Sequence, residues 1–329
     1  MSISQLDAFR GGDKLVRIVG HRGARGLMPE NTLIGFEWTL SMGIEALEFD
    51  VLLTKDEVPV IVHNHHLTAS TTRQPDGQWL PDLEPAIAQL TYEEICAYDV
   101  GGIDSNSEYG MRFPEQMFLS NIKVPRLADL LRLITQPRFS RAVLMLEIKS
   151  DPHATDPKLT RTRTVEKVVQ DVRNTGLSHR TILHSFDWEI LAECQRIAPD
   201  IPTSFLTQLP ENDDHVGEDS SSNFGKHLQN AASIPDLVAQ AGGQLWCPYI
   251  KDLAAKDIER AHQLGLLVIT WTANDINDIE NAIDLGVDGI VSDYPGRVQH
   301  ALLSRGYAWM PKPLENQEEF PRFPGAAAL

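Results

Sequence analysis

From residue 15 to residue 293 the chain alternates short apolar runs, rich in Val, Ile and Leu, with stretches of helical periodicity. The runs fall at residues 15–20, 46–51, 142–149, 180–186, 202–207, 245–249, 266–271 and 288–293, which makes eight. Helical patterns occupy residues 31–43, 164–175, 188–198, 254–264 and 276–286, and several end on Gly, which tolerates the left-handed conformation of a helix C-terminus. Eight βα units close a parallel sheet on itself, so the predicted class is α/β, a (β/α)8 TIM barrel. Such barrels commonly exceed about two hundred residues as one unit, and residues 1–310 are read as a single domain.

One more extended run, residues 58–63, does not fit as a ninth barrel strand. Only a few residues around Lys55 and Asp56 separate it from the second strand, too few for a parallel crossover, so the two form an antiparallel hairpin. With Lys55 and Asp56 as a two-residue turn, Thr54 faces Glu57 and Glu48 comes opposite His63. A turn one residue longer shifts that ladder but keeps Glu48, Asp50 and His63 within about ten ångströms of one another. Residues 64–125 form an insertion rich in Pro, Gly and polar side chains, with one helical piece near residues 92–98, and are read as a small lid-like subdomain. A second long loop, residues 208–229, is polar from 211 to 223 and is expected to move; residues 311–329, with four prolines, form a loose C-terminal tail.

Charge and cysteine usage narrow the partners. With 46 acidic residues against 29 Lys and Arg, the formal net charge is -17, which argues against nucleic acid or an anionic membrane as the main partner. An anionic substrate must then be attracted locally. Cys96, Cys194 and Cys247 lie far apart without ligand-like spacing and are expected to be free, mostly buried thiols, as in a reducing compartment. No targeting segment and no apolar run long enough to span a bilayer is recognised, and the expected location is cytoplasmic, without stable membrane association.

The chemistry-bearing residues gather at the ends of the predicted strands, where barrel enzymes keep their sites. The first strand ends in His21 and Arg22, the second carries Glu48 and Asp50, and the next barrel strand carries Glu147 and Lys149. Residues two apart on a strand share a face, so each pair can project into the barrel mouth. Three carboxylates converging there repel one another unless a cation sits between them, and oxygen ligation suits magnesium or calcium better than zinc. A phosphodiester needs a metal to draw charge from a non-bridging oxygen, cations to grip the phosphate, and a base and an acid to move protons. Met singly, each residue has a plainer explanation: Glu147 with Lys149 as an ion pair, His21 or His63 as hydrogen-bonded scaffold, Trp271 as packing, Asn31 as a helix cap, His65 and His66 as solvated side chains.

Taken together, HRGARGLMPENT at residues 21–32, EFDVLLTKDEVPVIVH at 48–63, LEIK at 146–149, TWTAN at 270–274 and GVDGIVSDYP at 286–295 resemble the glycerophosphodiester phosphodiesterase family. The resemblance covers nearly the whole barrel in order, and VPRLADLL at 124–131 is similar to the family's re-entry after its inserted subdomain. It implies that Glu48, Asp50 and Glu147 ligate one divalent cation, magnesium or calcium with manganese the next candidate. It further implies His21 and His63 as the acid/base pair, Arg22 and Lys149 as phosphate contacts, and Trp271 as a pocket wall. The implied reaction yields an alcohol and sn-glycerol 3-phosphate, with the substrate's neighbouring glycerol hydroxyl attacking phosphorus and water opening a cyclic phosphate. Two departures stand out: Asn64 replaces the family's usual Asp after the second histidine, and Ala69–Thr72 lacks its usual Arg; the first bears on how His63 is oriented. The alternatives are a phospholipase D-like or inositide-type phospholipase acting on membrane lipid, and a regulatory barrel with weak catalysis.

Overall fold

Nine strands are buried along almost their whole lengths: β1 (Arg17–His21), β2 (Ala46–Leu53), β3 (Pro59–Ile61), β4 (Val143–Ile148), β5 (Thr181–Ser185), β6 (Thr203–Thr207), β7 (Leu245–Pro248), β8 (Leu267–Thr270) and β9 (Gly289–Ser292). In the computed structural model, which describes residues 6, 9, 14–81, 84–152, 154–209 and 233–309, all but β3 run parallel in the order β1-β9-β8-β7-β6-β5-β4-β2. Pairing of β1 with β2 closes the ring into the eight-stranded barrel expected from the alternation. The expected tail at 311–329 and most of the 208–229 loop lie outside the described residues. Among the described residues no helix is long and apolar enough to cross a membrane.

Each crossover is a helix whose apolar stripe faces the strands. α1 (Leu33–Ser41) follows β1; α2 (Tyr92–Ile95) and α3 (Glu108–Arg112) belong to the insertion; α4 (Leu127–Ile134) returns the chain to the barrel. The rest follow in turn: α5 (Pro157–Asn174), α6 (Trp188–Ile197), α7 (Ile234–Gln240), α8 (Ala255–Gln263), α9 (Ile276–Leu285) and α10 (Pro295–Ser304). In α4 the buried residues Leu127, Leu130, Leu131 and Ile134 recur at three- and four-residue intervals, so one face packs inward and Asp129 and Arg132 stay outside it. The α1 cap is Thr32, whose side chain accepts from Gly35 N, and not Asn31 as the sequence suggested. Asn31 instead sits at φ 55, and its side chain is turned toward β2.

The hairpin of β2 and β3 is antiparallel as expected, but its register differs by one residue. Val51 pairs with Ile61 and Leu53 with Pro59, so Thr54 faces Val58 rather than Glu57. Lys55, Asp56 and Glu57 make a three-residue turn in which Glu57 takes the left-handed conformation at φ 60, and Thr54 closes it with backbone and side-chain oxygens accepting from Glu57 N and Val58 N. The last ladder bond runs from Val62 N to Asp50 O at 3.1 Å, and His63 follows directly after it. Residues 64–125 carry a small core of their own, Leu67, Leu80, Ile87, Ile95 and Val124, which packs on Leu52 and Val60 of the hairpin. The helical piece expected at 92–98 is the short α2, held by a capping box between Thr91 and Glu94, while α3 had no counterpart in the sequence pattern.

Candidate active site

Register alone brings the candidate residues together. His21 of β1 lies beside Glu48 of β2, and Asp50 lies beside Glu147 of β4, which in turn lies beside His184 of β5. These positions share the inward face of the sheet, and Arg22, Lys149, His63 and Trp271 join them from the strand ends to line one pocket of about 520 Å3, its open mouth included. All eight residues singled out from the sequence therefore border the same cavity.

The β1–α1 loop is folded tightly under that cavity. A side chain at residue 20 would put its Cβ 2.0 Å from the carbonyl oxygen of Gly23, so the turn requires Gly20. Arg22 follows at φ 49, a conformation that is strained for a side chain of this size and tends to occur at functional sites. Its backbone N–H donates to Glu48 Oε2 (3.1 Å), its guanidinium donates to Glu30 Oε1 (2.9 Å), and Nε stands 3.5 Å from Asp50 Oδ2. Asn31 Nδ2 donates to the same Asp50 oxygen at 3.0 Å.

Glu48, Asp50 and Glu147 each bring a carboxylate oxygen to within 4.8 Å of the others, in a site from which water is almost excluded. Burial, reinforced by Asp50 and Glu147, pushes Glu48 well above the usual carboxylate range. Burial would also raise Asp50, but Lys149, His63 and Arg22 together hold it well below that range. Glu147 rises to about 7 because desolvation outweighs the pull of Lys149. Lys149 Nζ bridges Asp50 Oδ1 (3.0 Å) and Glu147 Oε1 (2.8 Å), and those two carboxylates raise its pKa against the effect of burial. Two of three converging carboxylates thus favour a proton in the absence of a further positive charge, which is the behaviour of an oxygen-ligand site suited to a divalent cation.

The histidines are oriented differently. His21 Nδ1 lies 2.7 Å from Asp293 Oδ1, with Nε2 directed toward Glu48 Oε2 at 3.7 Å. Burial lowers the His21 pKa while Asp293 opposes the fall. Asp293 is itself held far below its ordinary value because Arg25 and His21 overcome its desolvation; Arg25 grips both of its oxygens, at 2.8 and 3.0 Å. His63 Nδ1 lies 2.7 Å from Asn64 Oδ1, so the residue that replaces the expected Asp still orients the ring, with an amide in place of a charge. His65 and His66, expected in solvent, are half-buried at the start of the insertion.

Opposite the charged groups the wall is apolar: Phe186, Leu206, Trp271 and Val291. Trp271 is 9% exposed, donates from Nε1 to Cys247 O (3.0 Å) and packs edge-on against Phe186, their ring centres 5.2 Å apart. His184 is set into this wall with Nδ1 2.8 Å from Ser204 Oγ, and burial drops its pKa to about 3. Arg25, His184 and Asp293 are not singled out in the sequence, and Asn31 is singled out there only as a helix cap. Their signals were faint: a second arginine in HRGARG, an asparagine resembling a cap, one histidine at an inward position of an apolar strand, and an Asp directly after the last strand.

A parallel barrel carrying a buried carboxylate cluster, two histidines and a paired lysine and arginine at the strand C-termini defines a hydrolytic enzyme of the phosphodiester-cleaving class. Residues 21–297 match the model of the glycerophosphoryl diester phosphodiesterase family, and the chain belongs to that family. A crystal structure from Silicibacter pomeroyi, provisionally named a glycerophosphoryl diester phosphodiesterase, is 49% identical, covers 94% of this chain and 100% of its own, and superposes with a TM-score of 0.86. A glycerophosphodiester phosphodiesterase of Bacillus altitudinis is 25% identical over 86% of this chain and 96% of its own. The fold is also shared with an Oleispira antarctica phosphodiesterase solved with its product sn-glycerol-3-phosphate: 21% identity, TM-score 0.65, covering 88% of this chain and 97% of that one.

Proposed function

We propose that the protein hydrolyses glycerophosphodiesters to an alcohol and sn-glycerol 3-phosphate, with one divalent cation, magnesium or calcium, held by Glu48, Asp50 and Glu147. The observation that carries this is the buried carboxylate triad shared with Lys149 and flanked by His21 and His63. When bound, the cation draws charge from a non-bridging phosphate oxygen. Lys149 and Arg22 grip the phosphate, Lys149 as a point charge and Arg22 as a planar fork. Asp293 keeps the His21 Nδ1 hydrogen engaged, so Nε2 is the atom that exchanges protons with the substrate, and it stabilises the imidazolium that forms. His63, steered by Asn64, exchanges the other proton. The neighbouring glycerol hydroxyl loses its proton to one histidine and attacks phosphorus while the other protonates the leaving alcohol; water then opens the cyclic phosphate with the two roles reversed. Residues 64–125 form the lid-like subdomain over this cavity, and Trp271 packs its apolar wall.

The test is release of sn-glycerol 3-phosphate from a panel of glycerophosphodiesters, with magnesium, calcium or manganese and with chelator. Turnover that disappears with chelator and returns with cation supports the assignment; turnover indifferent to chelator overturns the metal, and none with any substrate or ion overturns the function. Action on lipids bearing the same phosphodiester has one observation in its favour, the exposed Met111, Met117 and Phe118 of the insertion, and hydrolysis of vesicles but not of soluble substrates would select it. The cytoplasm is the proposed compartment.

A further inference from the structure

The insertion is tied directly to the β1–α1 loop that carries Arg22. α3 presents Tyr109 to the β1–α1 loop, and its hydroxyl donates a hydrogen bond to Glu30 Oε2 while accepting one from Arg25 Nη1 at 3.2 Å. The other oxygen of Glu30 accepts from the Arg22 guanidinium, so a single carboxylate, half-buried, links the insertion to a cavity-lining cation. The attachment is broad. Arg25 stacks over the Phe113 ring at 4.5 Å, Gln116 Nε2 donates to Arg25 O at 2.7 Å, and Met117 N donates to Leu27 O at 2.9 Å. α3 is fixed in turn by Ser107, whose side chain caps it, and by Gly110, where a Cβ would meet Asp104 O at 2.0 Å.

We infer that Tyr109 is a positioning residue: by fixing Glu30 it holds Arg22 at the angle needed to grip a phosphate, so the inserted subdomain tunes substrate binding. This rests on the proposed function insofar as Arg22 is taken to contact phosphate. A glutamate with one oxygen released can swing, and Arg22 then has a second carboxylate at hand in Asp50, 3.5 Å from its Nε. A guanidinium drawn there is lost to the substrate. Because the contact is made equally in the ground and transition states, its weakening raises KM and leaves kcat alone.

The experiment compares wild type with Tyr109→Phe, Glu30→Gln, the double variant, and Tyr92→Phe as a control within the same subdomain, whose hydroxyl donates to Val124 O at 3.4 Å. Steady-state kinetics with a glycerophosphodiester are paired with calorimetric binding of sn-glycerol 3-phosphate. Tyr109→Phe keeps the ring packed on Phe113 and is expected to raise KM about tenfold, weaken product binding by a similar factor and change kcat by less than about twofold. The double variant is expected to match Glu30→Gln, because both changes break the same link. Wild-type turnover with an unaltered KM in Tyr109→Phe, an equal rise in Tyr92→Phe, or additive effects in the double variant would each overturn the inference alone. A wild type that neither turns over nor binds the product would sink it together with the proposed function.

Discussion

The two ends of the barrel both bury charge, and they do so to opposite purposes. Arg17 and His21 lie four residues apart on the inward face of β1. At the N-terminal end Arg17, 2% exposed, is matched by Glu45 at 3.6 Å, which Arg141 also pairs at 2.9 Å, and its guanidinium lies over the Phe9 ring. Glu45 lies between two cations there, and each of them has it as a carboxylate partner. At the C-terminal end Glu48, Asp50 and Glu147 face one another, and Lys149 and Arg22 offset only part of the repulsion. The lower end pairs its charges across neighbouring strands; the upper end keeps like charges close, so that two of its three carboxylates favour a proton unless further positive charge is present.

The largest effect that separates the ends is expected from Glu48→Gln. On the proposed function a cation ligand is lost together with a carboxyl group whose ionisation burial and its neighbours oppose, so turnover should fall at least about a thousandfold while thermal stability without metal holds or rises. A variant of near-normal kcat/KM would remove Glu48 from the metal site, and a large fall in melting temperature would erase the contrast. At the other end, Glu45→Gln leaves Arg17 buried without a carboxylate partner; about 3 kcal/mol of unfolding free energy should be lost in denaturant titrations, with kcat/KM unchanged at temperatures where the variant is folded. Lost activity there would mean that the ends are coupled. His63→Ala, between these in kind, is expected to lower kcat about a hundredfold while cation binding, followed by calorimetry, stays near wild type. Normal turnover would show that the proton passes elsewhere.

How far the ends could be read beforehand also differs. Every barrel strand was visible because strands buried on both faces are continuous apolar runs, and bounds shifted by one or two residues: β4 spans Val143–Ile148 where 142–149 was expected, and β2 runs to Leu53 where 51 was expected. The paired spacings of Glu48 with Asp50 and Glu147 with Lys149 put their side chains on one face without any knowledge of the fold. What escaped was whatever depends on a single conformation or a remote partner. The hairpin register turned on Glu57 accepting a left-handed conformation that nothing in its residue type demanded. α3, five residues long, is too short to show a period. Asp293 meets His21 across 272 residues and Tyr109 meets Glu30 across 79, and neither distance leaves a local pattern.

The smallest difference should be one of pH, and it belongs to the lower end. His262 of α8 lies 2.9 Å from Asp288, which also accepts from Val268 N at the start of β8; the bond to Asp288 raises the histidine pKa above its ordinary value despite partial burial. A group whose folded pKa is raised stabilises the folded state fully below its unfolded pKa of about 6.5 and loses that contribution as pH climbs through the folded value. Because the imidazole is 40% exposed, solvent screening keeps the effect under about 0.5 kcal/mol. Wild type and His262→Gln should therefore differ in melting temperature by roughly a degree at pH 6 and converge above about pH 8. A gap that widens as pH rises would reverse the sign and show that the neutral ring, through its packing, is what anchors α8 beneath β8 and β9.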